Sequence, residues 1–207
     1  YINKFRIYKI LPADLNSLSH NDVNALVEDQ KGNIWIGTDG GGLNYLDRKT
    51  QKNTRIGLNG LPSNTLSSDI IVSLYVDRAE KLWIGTYFGG LNKYDPVAGK
   101  FTIYKHTPED TASISDDRIY GICEDAQNNL WVGTLGSGLS RLDSRTGKFT
   151  NFNTRNSSLC FDMITSIYRD KKQVLWISTE FGLASFDEKE KAFKAFQRQD
   201  DNKNSIS

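Results

Sequence analysis

The stretch "LWIGTYFGGLNKYD" (Leu82 to Asp95) is written three more times in this chain. It returns as "IWIGTDGGGLNYLD" (Ile34 to Asp47), "LWVGTLGSGLSRLD" (Leu130 to Asp143) and "LWISTEFGLASFD" (Leu175 to Asp187). The tryptophans Trp35, Trp83, Trp131 and Trp176 stand 48, 48 and 45 residues apart. Each lies six residues after an aspartate: Asp29, Asp77, Asp125 and Asp170. Further on come a leucine (Leu43, Leu91, Leu139, Leu183) and a second aspartate (Asp47, Asp95, Asp143, Asp187). Three repeats then carry Phe101, Phe149 and Phe193, where the first has Asn53. A fixed period of this length marks a repeat architecture.

Each period reads as four short strands. In the first, "VNALVED" shows partial alternation and opens the repeat. "QKGN" is a turn, and "IWIGT" is a short strand apolar on both faces, as a strand between packed sheets must be. The glycines after Asp39 reverse the chain into "LNYLD", and a polar turn leads to a fourth strand. The expected strands lie near 23–29, 34–38, 43–47 and 53–56. No segment has sustained helical periodicity. Four antiparallel strands in each repeat are the content of one β-propeller blade. The expected class is all-β: a propeller fragment of four consecutive four-stranded antiparallel blades, at 17–56, 65–104, 113–152 and 158–196. Residues 5–16 read as the outer strand of a preceding blade and its link, and 204–207 as the start of a further repeat. The tryptophans supply apolar surface between blades. The first aspartate of each repeat suits accepting N–H bonds in the following turn.

Composition limits the function classes. Of the 207 residues, 38% are hydrophobic and 25% charged, as in a globular protein, and the net charge of +1 offers no field to gather nucleic acid. No apolar run approaches the ~18 residues of a membrane helix. The two cysteines, Cys123 and Cys160, are too few for a disulfide framework, and Cys123 reads as a buried free thiol. The histidines, His20 and His106, have no partners at metal-ligand spacing, and no nucleotide motif is present. No metal or cofactor is expected.

The four segments "VNALVEDQKGNIWIGTDGGGLNYLD", "IVSLYVDRAEKLWIGTYFGGLNKYD", "IYGICEDAQNNLWVGTLGSGLSRLD" and "ITSIYRDKKQVLWISTEFGLASFD" resemble the two-component regulator propeller repeat. The fourth departs from it with Ser178 in place of glycine and one turn glycine fewer. The resemblance implies a periplasmic sensor of a hybrid histidine kinase of gut bacteria, recognising products of glycan breakdown. It implies partners in the same protein: further blades, a β-sandwich and the kinase. The segment itself is then no enzyme.

The repeats differ just after each Thr and in the links between repeats. In an up-and-down blade these segments share one rim, where binding is expected to live. Asp39, Tyr87, Phe88, Arg118, Phe161, Glu180 and Phe181 are the candidate ligand residues. Aromatics beside carboxylates and an arginine suit stacking on sugar rings and bonding to hydroxyls. The plain alternative is a set of ordinary polar loops. Two other functional readings stand beside the oligosaccharide sensor: a propeller lyase of the streptogramin type, and a protein-interaction scaffold. An arc of four blades would leave two apolar faces open, so a homodimer closing a ring of about eight blades is expected.

Overall fold

The computed structural model describes residues 6–57, 65–198 and 205. They form four four-stranded antiparallel sheets and no helix. The first sheet runs β1 (Val23–Glu28), β2 (Ile34–Thr38), β3 (Leu43–Asp47) and β4 (Lys52–Ile56). The second runs β5 (Ile71–Val76), β6 (Leu82–Thr86), β7 (Leu91–Asp95) and β8 (Lys100–Tyr104). The third comprises β9 (Ile119–Glu124), β10 (Leu130–Thr134), β11 (Leu139–Leu142) and β12 (Phe149–Phe152). The fourth comprises β13 (Ile164–Arg169), β14 (Leu175–Thr179), β15 (Gly182–Asp187) and β16 (Ala192–Phe196). Strand order follows chain order in every sheet, so each is an up-and-down blade. The expected strands of the first repeat are met to within one residue at each end.

Residues 6–8 form no strand. Arg6 Nη1 and Tyr8 Oη donate to Gln51 Oε1. Phe5 and all of 204–207 except Ser205 lie outside the described residues.

The chain divides into two compact units. The first reaches to Ile84 and includes Asn92–Thr102; the second holds Gly85–Leu91 and everything from Ile103 on. In the first unit, Trp35, Leu43, Leu66, Ile71, Leu82, Ile84 and Tyr94 form one core. In the second, fully buried Trp131 meets Phe152, Phe186 and Phe193 at ring-centroid distances of 5.4, 4.7 and 6.3 Å.

The repeated residues have definite tasks. Asp29, Asp77, Asp125 and Asp170 each accept two backbone N–H bonds in the β-turn that follows, as Asp125 Oδ1 does from Gln127 and Asn129 at 2.9 and 2.8 Å. The other oxygen accepts the indole N–H of the tryptophan six residues on: Trp83 at 2.8 Å, Trp131 at 3.0 Å and Trp176 at 3.0 Å. The turn and the buried ring are thereby tied to one carboxylate. For Asp170, the Trp176 bond and the backbone bonds hold the carboxyl below its ordinary range, against the opposing effect of burial. Thr38, Thr86, Thr134 and Thr179 each donate their hydroxyl to the carbonyl of the glycine that closes the following turn, at 2.8–2.9 Å. That is why Thr stays fixed while its neighbours change.

The glycine before the Thr is fixed by the next blade. A Cβ on Gly37 would lie 2.4 Å from Ile71 Cγ2, and one on Gly133 2.4 Å from Ile164 Cγ2. Ile71 and Ile164 are the first residues of β5 and β13, so the first strand of each of these blades seats its isoleucine on a bare backbone. In the fourth blade that position is Ser178. Its neighbours on the same face are only partly covered: Trp176 is half-buried and Tyr168 is 62% exposed. On β1, Leu26 occupies the position of Ile167, which packs on the preceding blade at Gly121 and Gly133. Leu26 is 64% exposed.

The links are pinned in a repeated way. Ser19 and Ser67 donate their N–H groups to Asn44 and Asn92, and Ser115 to Ser140, each at 3.0 Å. In the fourth repeat these places hold Cys160 and Ala184. Cys123 and Cys160 are both free thiols, Cys123 buried. Burial pushes the Cys123 thiol up from its ordinary value.

Candidate functional site

Six of the seven candidate ligand residues fall in the second unit, in the segments after each Thr and in the links. Asp39 falls in the first. It is exposed, and its N–H is held by Asp22 O at 2.9 Å, so the turn is fixed while the carboxylate faces solvent.

Tyr87 and Phe88 close the β6–β7 turn. Their rings meet edge to face, with centroids 4.3 Å apart, and Phe88 is 63% exposed. The turn is anchored from the next link, where Gly90 N–H donates to Asp117 O at 2.9 Å. A third ring, Tyr120 on β9, stands 6.4 Å from Tyr87. Burial raises the Tyr120 pKa, and the negative form of Tyr87 would raise it further, while Arg118 acts the other way. Tyr120 was not among the candidates. Its signal was faint: the second residue of the first strand is Asn24, Val72, Tyr120 and Thr165 in turn, and only one repeat puts a ring there.

Arg118 lies beside these rings, and its guanidinium is already occupied. Nε donates to Asp116 Oδ1 at 3.0 Å and Nη2 to Asp116 Oδ2 at 2.6 Å, a two-pronged pair. Ser137 Oγ reaches the same Oδ2 at 3.3 Å. Burial acts to raise the Asp116 pKa, but the Arg118 and Ser137 bonds outweigh it and hold the carboxyl below its ordinary range. The Arg118 pKa is raised in turn, chiefly by the Asp116 bond. The pair presents a flat guanidinium surface with little free charge.

The second aromatic group is Phe161 with Phe181, edge to face at 4.7 Å, with Phe181 60% exposed. Phe161 lies in the link before β13 and Phe181 in the β14–β15 turn. Glu180 is exposed, its N–H donating to Met163 O at 3.3 Å. The structure thus brings Tyr87, Phe88 and Arg118 together, with Asp116 and Tyr120 added, and separately joins Phe161 to Phe181.

The link aspartates beside these residues are structural. Asp69, Asp117 and Asp162 offer their carbonyls to Gly42, Gly90 and Gly138 of the preceding turn, at 2.8–2.9 Å. Asp117 and Asp162 also accept backbone N–H bonds from His106 and Thr154. His106 Nδ1 lies 2.8 Å from Ile114 O, and His20 Nδ1 accepts from Asp22 N–H at 3.2 Å. Among the described residues, no three His, Cys, Asp or Glu side chains converge on a point that could hold a metal ion.

The two component regulator propeller repeat matches residues 17–40, 65–88, 113–136 and 158–181. The chain is similar in structure to the extracellular domain of a hybrid two component system from B. thetaiotaomicron, with 27% identity and a TM-score of 0.75 over 85% of this chain and 24% of that one. A second such domain from the same organism is 23% identical, with a TM-score of 0.69 over 84% of this chain and 25% of that one. The chain therefore spans about a quarter of the length of either domain. Virginiamycin B lyase from Staphylococcus aureus is 15% identical, with a TM-score of 0.65 over 87% of this chain and 57% of the lyase. At that identity the likeness to the lyase is one of fold alone, as is that to the second domain. No curated protein matches the chain. By four copies of its repeat, each built on the same aspartate-turn and threonine–glycine bonds, the chain belongs to the two-component regulator propeller family.

Proposed function

We propose that this segment is part of a ligand-sensing propeller outside the cytoplasm, and that its second unit takes a neutral oligosaccharide. The Tyr87, Phe88 and Tyr120 rings around the Arg118–Asp116 pair carry the reading. Phe88 is exposed and Tyr87 and Tyr120 partly so, and such rings on a fixed scaffold stack on the apolar faces of sugars. The guanidinium, already neutralised by Asp116, can hydrogen-bond a hydroxyl but holds no surplus charge for an acidic sugar. Glycan recognition, signalling to a kinase elsewhere in the protein and a periplasmic site of action all belong to this proposal. Similarity to extracellular domains supports it, and no described helix is long and apolar enough to cross a membrane. No reaction is assigned to the segment.

Calorimetry with a panel of neutral and uronate-bearing oligosaccharides tests the site. A neutral member should bind, and Tyr87→Ala and Tyr120→Ala should each weaken it by about tenfold, the loss of roughly one stacking contact. Tighter binding of uronates, or unchanged affinity in both variants, would sink the assignment.

We also propose that a second copy covers the open faces carrying Leu26 and Tyr168. Light scattering should then give twice the 23.4 kDa of the chain. A 23.4 kDa species persisting at high concentration rules the pairing out.

A further inference from the structure

The first unit holds a cavity of about 410 Å³ lined in part by Asp29, Lys31, Trp35, Tyr45, Glu80 and Tyr94. Its tryptophan breaks the pattern of the other three. In those, the indole N–H donates to the aspartate six residues earlier. In the first repeat, Tyr45 Oη takes Asp29 Oδ2 at 2.9 Å, and Asn33 Nδ2 donates to Tyr45 Oη at 2.7 Å. The Trp35 indole N–H makes no hydrogen bond among the described residues.

The residue facing the tryptophan across β2 and β3 explains the exchange. Tyr45 pairs with Trp35. Its counterparts are Lys93 and Arg141, and each lays its own charge over the indole: Lys93 Nζ at 5.0 Å from Trp83, Arg141 Cζ at 5.6 Å from Trp131. Two repeats therefore supply a cation to their tryptophan from within the chain, and the first supplies a ring instead. Trp35, Tyr45 and Tyr94 lie with centroids 4.3 and 5.8 Å apart, a set of aromatic walls. Glu80 brings a carboxylate to the same cavity from the β5–β6 turn, where it holds a left-handed φ of 60°. Its Oε1 is buried with no hydrogen-bond partner among the described residues. Aromatic faces beside a carboxylate attract a cation, and a buried acceptor gains from a donor. Lys31, exposed, is the opposing charge on the lining.

We propose that this cavity, bounded by the Trp35, Tyr45 and Tyr94 rings and by Glu80, binds an alkylguanidinium group, whether of a small molecule or of an arginine side chain of a partner. The planar group can lie on the rings and donate to the carboxylate at once.

The four indole N–H signals of the ¹⁵N-labelled chain provide the test, with Trp35 assigned from the Trp35→Phe variant. The chain is titrated with n-butylguanidinium and, separately, with a capped Ala-Arg-Ala peptide. The Trp35 signal should move and saturate near or below about 1 mM while the other three stay still. Glu80→Gln should weaken binding by about tenfold, the effect of removing one charge-assisted bond. Tyr45→Lys should abolish it by supplying the cation internally, and should free Asp29 to bond Trp35, bringing that signal toward the others. Response to both ligands points to a partner's arginine; response to n-butylguanidinium alone points to a small molecule. A still Trp35 signal with both, or an equal response to uncharged n-butylurea, overturns the proposal.

Discussion

Replacing Trp131 by alanine should lower the stability of the second unit by about 3–5 kcal/mol, the range for a large ring removed from a closed core. The ring is fully buried, is packed by Phe152, Phe186 and Phe193, is covered by Arg141 and donates to Asp125. Its loss leaves a cavity between two sheets that cannot both collapse into it. The same change at Trp176 should cost about 1–2 kcal/mol, because that ring is half-buried and has less apolar surface to give up. Urea denaturation read by amide exchange in β10 and β14 distinguishes the two sites. Equal losses at both would mean that Trp176 is as well covered as Trp131, contrary to the packing described.

Adding one methyl group at Gly133 should also destabilise the second unit. Its Cβ would stand 2.4 Å from Ile164 Cγ2 and 2.9 Å from Ile164 Cβ, distances that real atoms do not keep. Ile164 cannot swing away, since it is fully buried at the start of β13. The blades must separate or the strand must bend, at about 1–3 kcal/mol for an overpacked core. Gly133→Ala combined with Ile164→Ala should be less destabilised than the sum of the two single changes, by about 1 kcal/mol or more. Strict additivity in urea midpoints would show that the two positions do not share a contact.

The blades were legible because a buried tryptophan and its turn recur at a fixed interval, and interval survives in a sequence without any geometry. The turn role of Asp29, Asp77, Asp125 and Asp170 could be read from residue type. The indole bond could not, although the constant six-residue step from Asp to Trp was its trace. The candidate site was legible in location and less so in chemistry. Variation after each Thr pointed to Tyr87, Phe88 and Phe181. That Arg118 turns back onto Asp116 depends on a side-chain rotamer, which no pattern of letters records. Tyr120 leaves no such mark, because it sits in a strand and not in the variable segments that follow each Thr. Asp117 and Asp162 sat among variable residues yet serve the frame through their carbonyls, and a backbone atom leaves no mark in composition.

Ser178 carries a consequence for how such a chain can be reshuffled. In a tandem array each repeat packs only on its neighbours, so a repeat is usable at a new place only where its edges suit them. The first and third repeats can precede one that begins with isoleucine, because Gly37 and Gly133 leave room for Ile71 and Ile164. The fourth repeat has lost that room, so moving it ahead of a repeat like the second would drive the Ser178 Cβ into the incoming isoleucine. Ser178→Gly would restore the fourth repeat as an interchangeable part. As it stands, the repeats are not interchangeable, and for this contact the difference lies in a single side chain.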